Sequence, residues 1–145
     1  MKTYYVTIDD QGTIHWKMNG QYHREDGPAF ESHIYGKEWR INGKPHREEG
    51  PARELPNGYK EWRINNELHR ADGPACAWAD GAQRWYLNGL RHREDGPACI
   101  DANGDKRWWV HGERLTEEQF NNQKIPPAYN KITINGREYT LCLGD

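Results

Sequence analysis

The residues best equipped for chemistry come in strings. His23-Arg24-Glu25-Asp26, His46-Arg47-Glu48-Glu49, His69-Arg70-Ala71-Asp72 and His92-Arg93-Glu94-Asp95 recur at a step of 23 residues. Imidazole beside carboxylate is the apparatus of general acid–base catalysis, and clustered histidine that of a zinc centre. The spacing argues against both. If each repeat contributes two strands, equivalent histidines lie about 9–10 Å apart, whereas zinc ligands must come within about 2.1 Å of one ion. Glu49 replaces Asp in the second string and Ala71 replaces Glu in the third, so the string tolerates change. Four equivalent copies predict structural reuse, with arginine and acid pairing locally and Asp26, Asp72 and Asp95 accepting turn amides before Gly-Pro. The alternative is a hydrolase or transferase using one copy's His and Asp, in which alanine substitution would abolish activity at a single copy.

The three cysteines lead the same way. Cys76 and Cys99 are repeat equivalents. Their expected separation exceeds the roughly 4.4–6.8 Å between Cα atoms that a disulfide needs. Cys142 is left over, and three unpaired cysteines predict a reducing compartment, the cytoplasm. The chain contains no G-x-S-x-G, no phosphate-binding Gly-rich loop, no H-E-x-x-H and no C-x-x-C. No catalytic residue, metal ligand or cofactor is assigned, and the sequence reads as a non-enzyme.

The elements that position these residues follow from the repeat. Trp16, Trp39, Trp62, Trp85 and Trp108 keep the 23-residue step, as do Gly27, Gly50, Gly73 and Gly96, each followed by Pro-Ala. The unit reads W-x-x-N-G-x-x-H-R-x-D-G-P-A followed by a second turn. Asn-Gly between short strands is the strongest signal for a two-residue type I′ hairpin. Centring it on Asn42-Gly43 pairs Ile41 with Lys44, Arg40 with Pro45 and Trp39 with His46. Asn57-Gly58, Asp80-Gly81 and Asn103-Gly104 mark the second turn, with Tyr35-Gly36 displaced by one residue. The predicted fold is all-β: a single-layer antiparallel β-hairpin meander of 23-residue units forming a solenoid over residues 1–115. A helix over 117–122 opens on the capping box Thr116-Glu117-Glu118-Gln119, with Leu115 and Phe120 at the spacing of a hydrophobic staple. It stops before Pro126-Pro127, and a hairpin around Asn135-Gly136 pairs Ile132 with Tyr139. Residues 116–145 thus read as a C-terminal cap.

Composition agrees with a thin repeat. The chain has 145 residues, 34% of them apolar and 29% charged, with 7 Trp and 8 Tyr. Its mean hydropathy is -1.18. So many aromatics exclude disorder. A net charge of -2 argues against duplex DNA and anionic membrane as partners. There is no run of eighteen apolar residues and no charged-then-apolar leader, which argues against a membrane span.

Function is expected where the copies differ. Each Trp and the residue two further on, Met18, Ile41, Ile64, Leu87 or Val110, share the inner face by alternation, and the residues between face outward. The outward positions are acidic early, at Glu31, Glu38, Glu54 and Glu61, and change to Arg84, Tyr86, Arg107 and Trp109 in the last two units. Trp78 is expected on the inner face and Trp109 on the outer. Arg84, Tyr86, Arg107 and Trp109 would then form a rectangle on one sheet surface, of the residue types enriched at binding hot spots. The competing reading is that the C-terminal helix and hairpin cover this patch.

The 23-residue period, the Trp, the Asn-Gly turn and the following His resemble MORN repeats over roughly residues 5–115, particularly divergent variants of bacteria and phages. The H-R-E-D-G-P-A run is similar to a repeat of tailed-phage proteins. The chain departs from the common pattern in having Gly four residues after Trp and Arg-x-Asp-Gly-Pro-Ala after His. The resemblance implies a scaffold or interaction surface, antitoxin-like in some bacterial variants, and transfers no functional residue. Together these observations predict a phage- or bacterium-encoded inhibitor, antitoxin-like neutraliser or adaptor that binds a host or cognate protein in the host cytoplasm. The acidic half would meet basic surface and the Arg–aromatic half would anchor. The second reading is a nucleotide-type anion binder, with guanidinium on phosphate and Trp109 on the base. Open sheet edges also admit a homodimer.

Overall fold

The computed structural model describes residues 2–124 and the strands at 130–134 and 137–141. The chain divides into two compact units, Met1–Arg114 and Leu115–Asp145. Strands begin with β1 (Tyr5–Ile8), β2 (Ile14–Met18) and β3 (Gln21–Tyr22). The second unit of the repeat supplies β4 (Phe30–Ser32), β5 (Gly36–Glu38), β6 (Arg40–Ile41) and β7 (Lys44–Pro45). The third supplies β8 (Arg53–Glu54), β9 (Lys60–Glu61), β10 (Arg63–Ile64) and β11 (Glu67–Leu68). Then follow β12 (Cys76–Ala77), β13 (Gln83–Arg84), β14 (Tyr86–Leu87) and β15 (Leu90–Arg91), and finally β16 (Cys99–Ile100), β17 (Lys106–Val110) and β18 (Glu113–Leu115). The fold is all-β, an antiparallel hairpin meander, with one helix among the described residues, α1 (Glu117–Lys124).

Each unit splits its work between two turns. The first is the Asn-Gly hairpin, which pairs Arg40 with Pro45 and Ile41 with Lys44 as the spacing predicts. Asn42 has φ 49° and Gly43 φ 77°, and Asn19-Gly20, Asn65-Asn66, Asn88-Gly89 and His111-Gly112 repeat those signs. Positive φ at both central residues is the type I′ turn, whose twist matches the strands. The second turn differs. Gly58 N–H donates to Leu55 C=O and Leu55 N–H to Tyr59 C=O, while only Gly58 among the loop residues has positive φ. That is a three-residue loop ending in a left-handed glycine, and Trp78–Ala82 and Asp101–Asp105 repeat it.

The strands flanking the second turns form a twelve-stranded sheet in the order β1-β2-β4-β5-β8-β9-β12-β13-β16-β17-β18, with β3 beside β2. Its register lays His15, Phe30, Glu38, Arg53, Glu61, Cys76, Arg84, Cys99 and Arg107 in one cross-strand row. The adjacent row is Ile14, Glu31, Lys37, Glu54, Lys60, Ala77, Gln83, Ile100 and Lys106, whose side chains point to the opposite face.

The repeated tryptophans are the joints between this sheet and the Asn-Gly hairpins. Trp39 N–H donates to Ala52 C=O at 2.8 Å on the sheet side, and Trp39 C=O accepts from His46 N–H at 3.0 Å on the hairpin side. Trp16, Trp62 and Trp85 do the same with Ala29, Ala75 and Ala98. Those four alanines are completely buried, whereas the tryptophans are only half-buried. Each ring is instead closed by an arginine: the guanidiniums of Arg24, Arg47, Arg70 and Arg93 lie 4.1, 3.8, 4.1 and 4.0 Å from the centres of Trp16, Trp39, Trp62 and Trp85. Such contacts contribute about 0.5–2 kcal/mol each. The glycine of Gly-Pro-Ala makes room for them, since a Cβ on Gly27 would sit 2.7 Å from the Arg24 guanidinium carbon.

In the second compact unit, the capping box forms in both directions: Gln119 N–H donates to Thr116 Oγ1 and Thr116 N–H to Gln119 Oε1. The helix runs two residues beyond the expected end. The terminal hairpin, β19 (Asn130–Ile134) and β20 (Arg137–Leu141), pairs Ile132 with Tyr139 as expected. Pro126-Pro127, the Asn135-Gly136 turn and Cys142 lie outside the described residues.

Candidate functional site

The histidine strings hold the units together. His23 Nδ1 accepts the backbone N–H of Asn42 in the next unit's turn at 3.1 Å, and His46, His69 and His92 do the same for Asn65, Asn88 and His111. In the first three copies Nδ1 also lies 2.8, 3.1 and 2.9 Å from the side-chain oxygen of the same asparagine, and Nε2 faces a carboxylate two residues on in three copies: Glu25 at 3.6 Å, Glu48 at 3.9 Å and Glu94 at 3.5 Å. Each arginine reaches the C=O of the proline four residues on, and in three copies its Nε bonds the aspartate between. The Arg24 and Arg70 partners hold the Asp26 and Asp72 carboxyls below their ordinary range. In the second copy, with Glu49, Arg47 approaches Glu54 instead.

The last copy substitutes His111 for asparagine, and His92, Glu94 and His111 bring donor atoms within 4.8 Å of one another. A metal-bound histidine ordinarily donates from its second ring nitrogen. In His92 that nitrogen already accepts the His111 amide, so ligation through Nε2 would break the bond that joins the two units.

Cys76 and Cys99 are free and buried. Cys76 and Cys99 share a row with Arg84 between them, and burial pushes both thiols up. Neither is poised as a thiolate.

The four glutamates read as one acidic half are divided between the two faces of the sheet, because Glu38 and Glu61 lie in one row and Glu31 and Glu54 in the adjacent row. All four are engaged. Glu38 binds Arg40 and Arg53. Glu61, 7% exposed, accepts the Tyr59 hydroxyl at 2.6 Å and pairs with Arg63. Glu31 binds Lys37 at 2.8 Å, and Glu54 lies 3.6 Å from Arg47.

The Arg–aromatic residues do come together, with two corrections. Trp109, expected to face outward, is buried at 8% exposure against Ala98 and Cys99, with Trp85 packed alongside. Small residues at positions 98 and 99 leave the space its ring fills. Trp78, expected inside, is 37% exposed because it opens a second turn rather than lying in a strand. Arg84 and Arg107 flank Cys99 and both bind the Asp101 carboxylate. Tyr86 stands opposite Arg91, whose Nε donates to its hydroxyl at 3.1 Å and whose pKa that bond raises. Arg91, Arg107 and Arg114 lie 4.9, 5.9 and 5.5 Å from the Trp109 ring centre.

Arg91 and Arg114 escaped the sequence reading, although a signal was present. They occupy the column held by Tyr22, Pro45 and Leu68 in earlier units, just as Arg84 and Arg107 occupy the column of His15, Glu38 and Glu61. In the second and third units the strand carries its own neutral pair, Glu38–Arg40 and Glu61–Arg63. In the fourth and fifth, arginine replaces the glutamate, an aromatic replaces the arginine, and another arginine enters from the facing hairpin strand. Asp101 supplies a carboxylate to two of these four guanidiniums, Arg84 and Arg107. No family model, curated protein or solved structure matches the chain, so the functional reading rests on this geometry.

Proposed function

We propose that the chain is a non-enzymatic interaction protein, a MORN-like repeat scaffold encoded by a phage or bacterium. It binds an acidic surface of a protein partner through Arg84, Arg91, Arg107 and Arg114, in the manner of an inhibitor, antitoxin-like neutraliser or adaptor in the cytoplasm. The observation that carries this reading is the charge inversion of the last two units: the repeat keeps its scaffold residues there while exchanging internally neutralised pairs for guanidiniums. The early glutamates are paired with cations within the chain and Arg84 and Arg107 with Asp101, so the excess positive charge of the last two units rests on Arg91 and Arg114.

Protein is favoured over a nucleotide by the state of Trp109. Its ring is buried with three guanidiniums around it, so it has no open face for a base to stack on. No described helix is long and apolar enough to cross a membrane.

The test is affinity capture from the native host with wild type and with Arg91→Glu/Arg114→Glu, followed by titration of the captured protein. The charge-reversed variant should stay folded, with some loss of stability where the Arg91 contacts to Tyr86 and Trp109 are removed, yet lose at least about tenfold in affinity, and the wild-type complex should weaken steeply with salt. An equally tight, salt-insensitive complex in the variant would overturn the assignment.

A further inference from the structure

We propose that Asn19-Gly20 is a self-modification site: in the folded chain it deamidates through a succinimide, while the other described Asn-Gly pairs are held against that reaction. In this chemistry the glycine backbone nitrogen attacks the side-chain Cγ of the preceding asparagine. The new N–Cγ bond closes a five-membered imide. The Cγ–Nδ2 bond breaks, and that nitrogen departs as ammonia with the proton the glycine amide gives up. Water then opens either carbonyl of the ring and leaves an aspartyl or isoaspartyl residue. Glycine is the favourable neighbour because it has no Cβ and turns freely. In a folded chain, a hydrogen bond on the glycine N–H or on the asparagine side chain opposes the reaction, since it must break before the peptide can rotate to attack.

Five such pairs lie among the described residues, at Asn19, Asn42, Asn57, Asn88 and Asn103. In four of them the glycine amide is committed. Gly43 N–H donates to Tyr22 C=O at 2.8 Å and Gly89 N–H to Leu68 C=O at 2.9 Å, each in the preceding unit. Gly58 N–H donates to Leu55 C=O at 3.0 Å and Gly104 N–H to Asp101 C=O at 2.9 Å, within the second turns. Their asparagines are committed as well. Asn42 and Asn88 donate their amides to His23 and His69. Asn57 Oδ1 accepts Tyr59 N–H at 3.0 Å, and Asn103 Oδ1 accepts Asp105 N–H at 3.1 Å. Asn19-Gly20 is the exception. Both residues are exposed, and neither the Gly20 N–H nor the Asn19 side chain has a hydrogen-bond partner among the described residues. A Cβ on Gly20 would meet nothing within 4 Å. The neighbouring strand β1 pairs along β2 from Ile14 to Lys17 and stops short of the turn. Lys2 and Tyr4 lead away from it, to Glu25 and to Trp16 and His23. Closing the imide at Asn19 therefore breaks none of the bonds that tie the later turns to the unit before them.

The experiment incubates the full native chain at mildly alkaline pH, where the attacking amide loses its proton more readily, and follows each asparagine by the mass of its tryptic peptide. Lysine and arginine place all five on separate peptides. The Asn19 peptide should gain the mass of an amide exchanged for a carboxyl, in aspartyl and isoaspartyl forms. It should do so at least about tenfold faster than the peptides of Asn42, Asn57, Asn88 and Asn103. The same incubation in guanidinium should bring the five rates together, because every Asn-Gly amide is then free. Conversion of Asn19 no faster than the other four in the native chain, or an equal lead retained in guanidinium, would overturn the proposal.

Discussion

Arginine serves three purposes in this chain, and its neighbours decide which. Arg24, Arg47, Arg70 and Arg93 close the exposed faces of tryptophans. Arg40 and Arg63 neutralise the glutamate two residues before them. Arg91, Arg107 and Arg114 gather about Trp109, and Arg84 meets Arg107 at Asp101 and lies 5.5 Å from the Trp78 ring centre. The second purpose predicts that Glu61→Ala is costly, because it strands the Tyr59 hydroxyl and the Arg63 guanidinium around a nearly buried position. Denaturant unfolding should register a loss of about 2–3 kcal/mol. The first purpose has a pH signature. Arg24 and Arg70 depress the Asp26 and Asp72 carboxyls, so these groups stabilise the fold above their unfolded pKa, near 4, and that contribution is lost as pH falls through the lower folded values. Thermal unfolding followed from pH 5 to pH 2 should therefore decline less steeply in Asp26→Asn/Asp72→Asn than in wild type.

At the scale of the element, the turns were the legible part. Asn-Gly at a fixed distance from Trp set the register of β6 and β7 residue for residue, because type I′ geometry admits few residues. Asn57-Gly58 carries the same dipeptide yet builds the longer glycine-ended loop, since its flanking strands close one residue further out. The faces were less legible. Alternation cannot be carried across Trp39 or Trp85, where the chain leaves the sheet for the hairpin; Trp78 comes out because it opens a second turn, and Trp109, within the unbroken β17, goes in against Ala98 and Cys99. Nor does the sequence disclose that Gly36 is a point of close approach. A Cβ there would lie 2.0 Å from the Glu54 carbonyl oxygen, whereas one on Gly81 meets nothing within 4 Å, and both have positive φ. Gly81→Ala should cost about 1 kcal/mol of backbone strain, and Gly36→Ala about 3 kcal/mol or more as β5 and β8 are forced apart. Equal losses in denaturant titrations of the two variants would contradict that contact.

For the chain as a whole, a polar composition and an aromatic surplus are reconciled by the repeat. Among the described residues the completely buried ones are mostly alanines, and Trp16, Trp39, Trp62 and Trp85 are each closed by an arginine, so little conventional core is needed. The all-β meander could be read from the 23-residue step because periodic turns constrain strand pairing strongly. The arginine cluster could be read only in part. Arg84 and Arg107 stand beside a repeated Trp in sequence, whereas Arg91 and Arg114 reach the cluster from the returning strand of each hairpin. The central claim is that the repeated residues are scaffold, used equivalently in every copy, and that the departures in the last units carry function. Thermal unfolding of Arg24→Ala, Arg47→Ala, Arg70→Ala and Arg93→Ala, measured side by side, tests it most directly. The four variants should each lose a similar increment, about 1–3 kcal/mol. A loss confined to one copy, with the other three unfolding as wild type, would contradict the claim and mark that copy as a site.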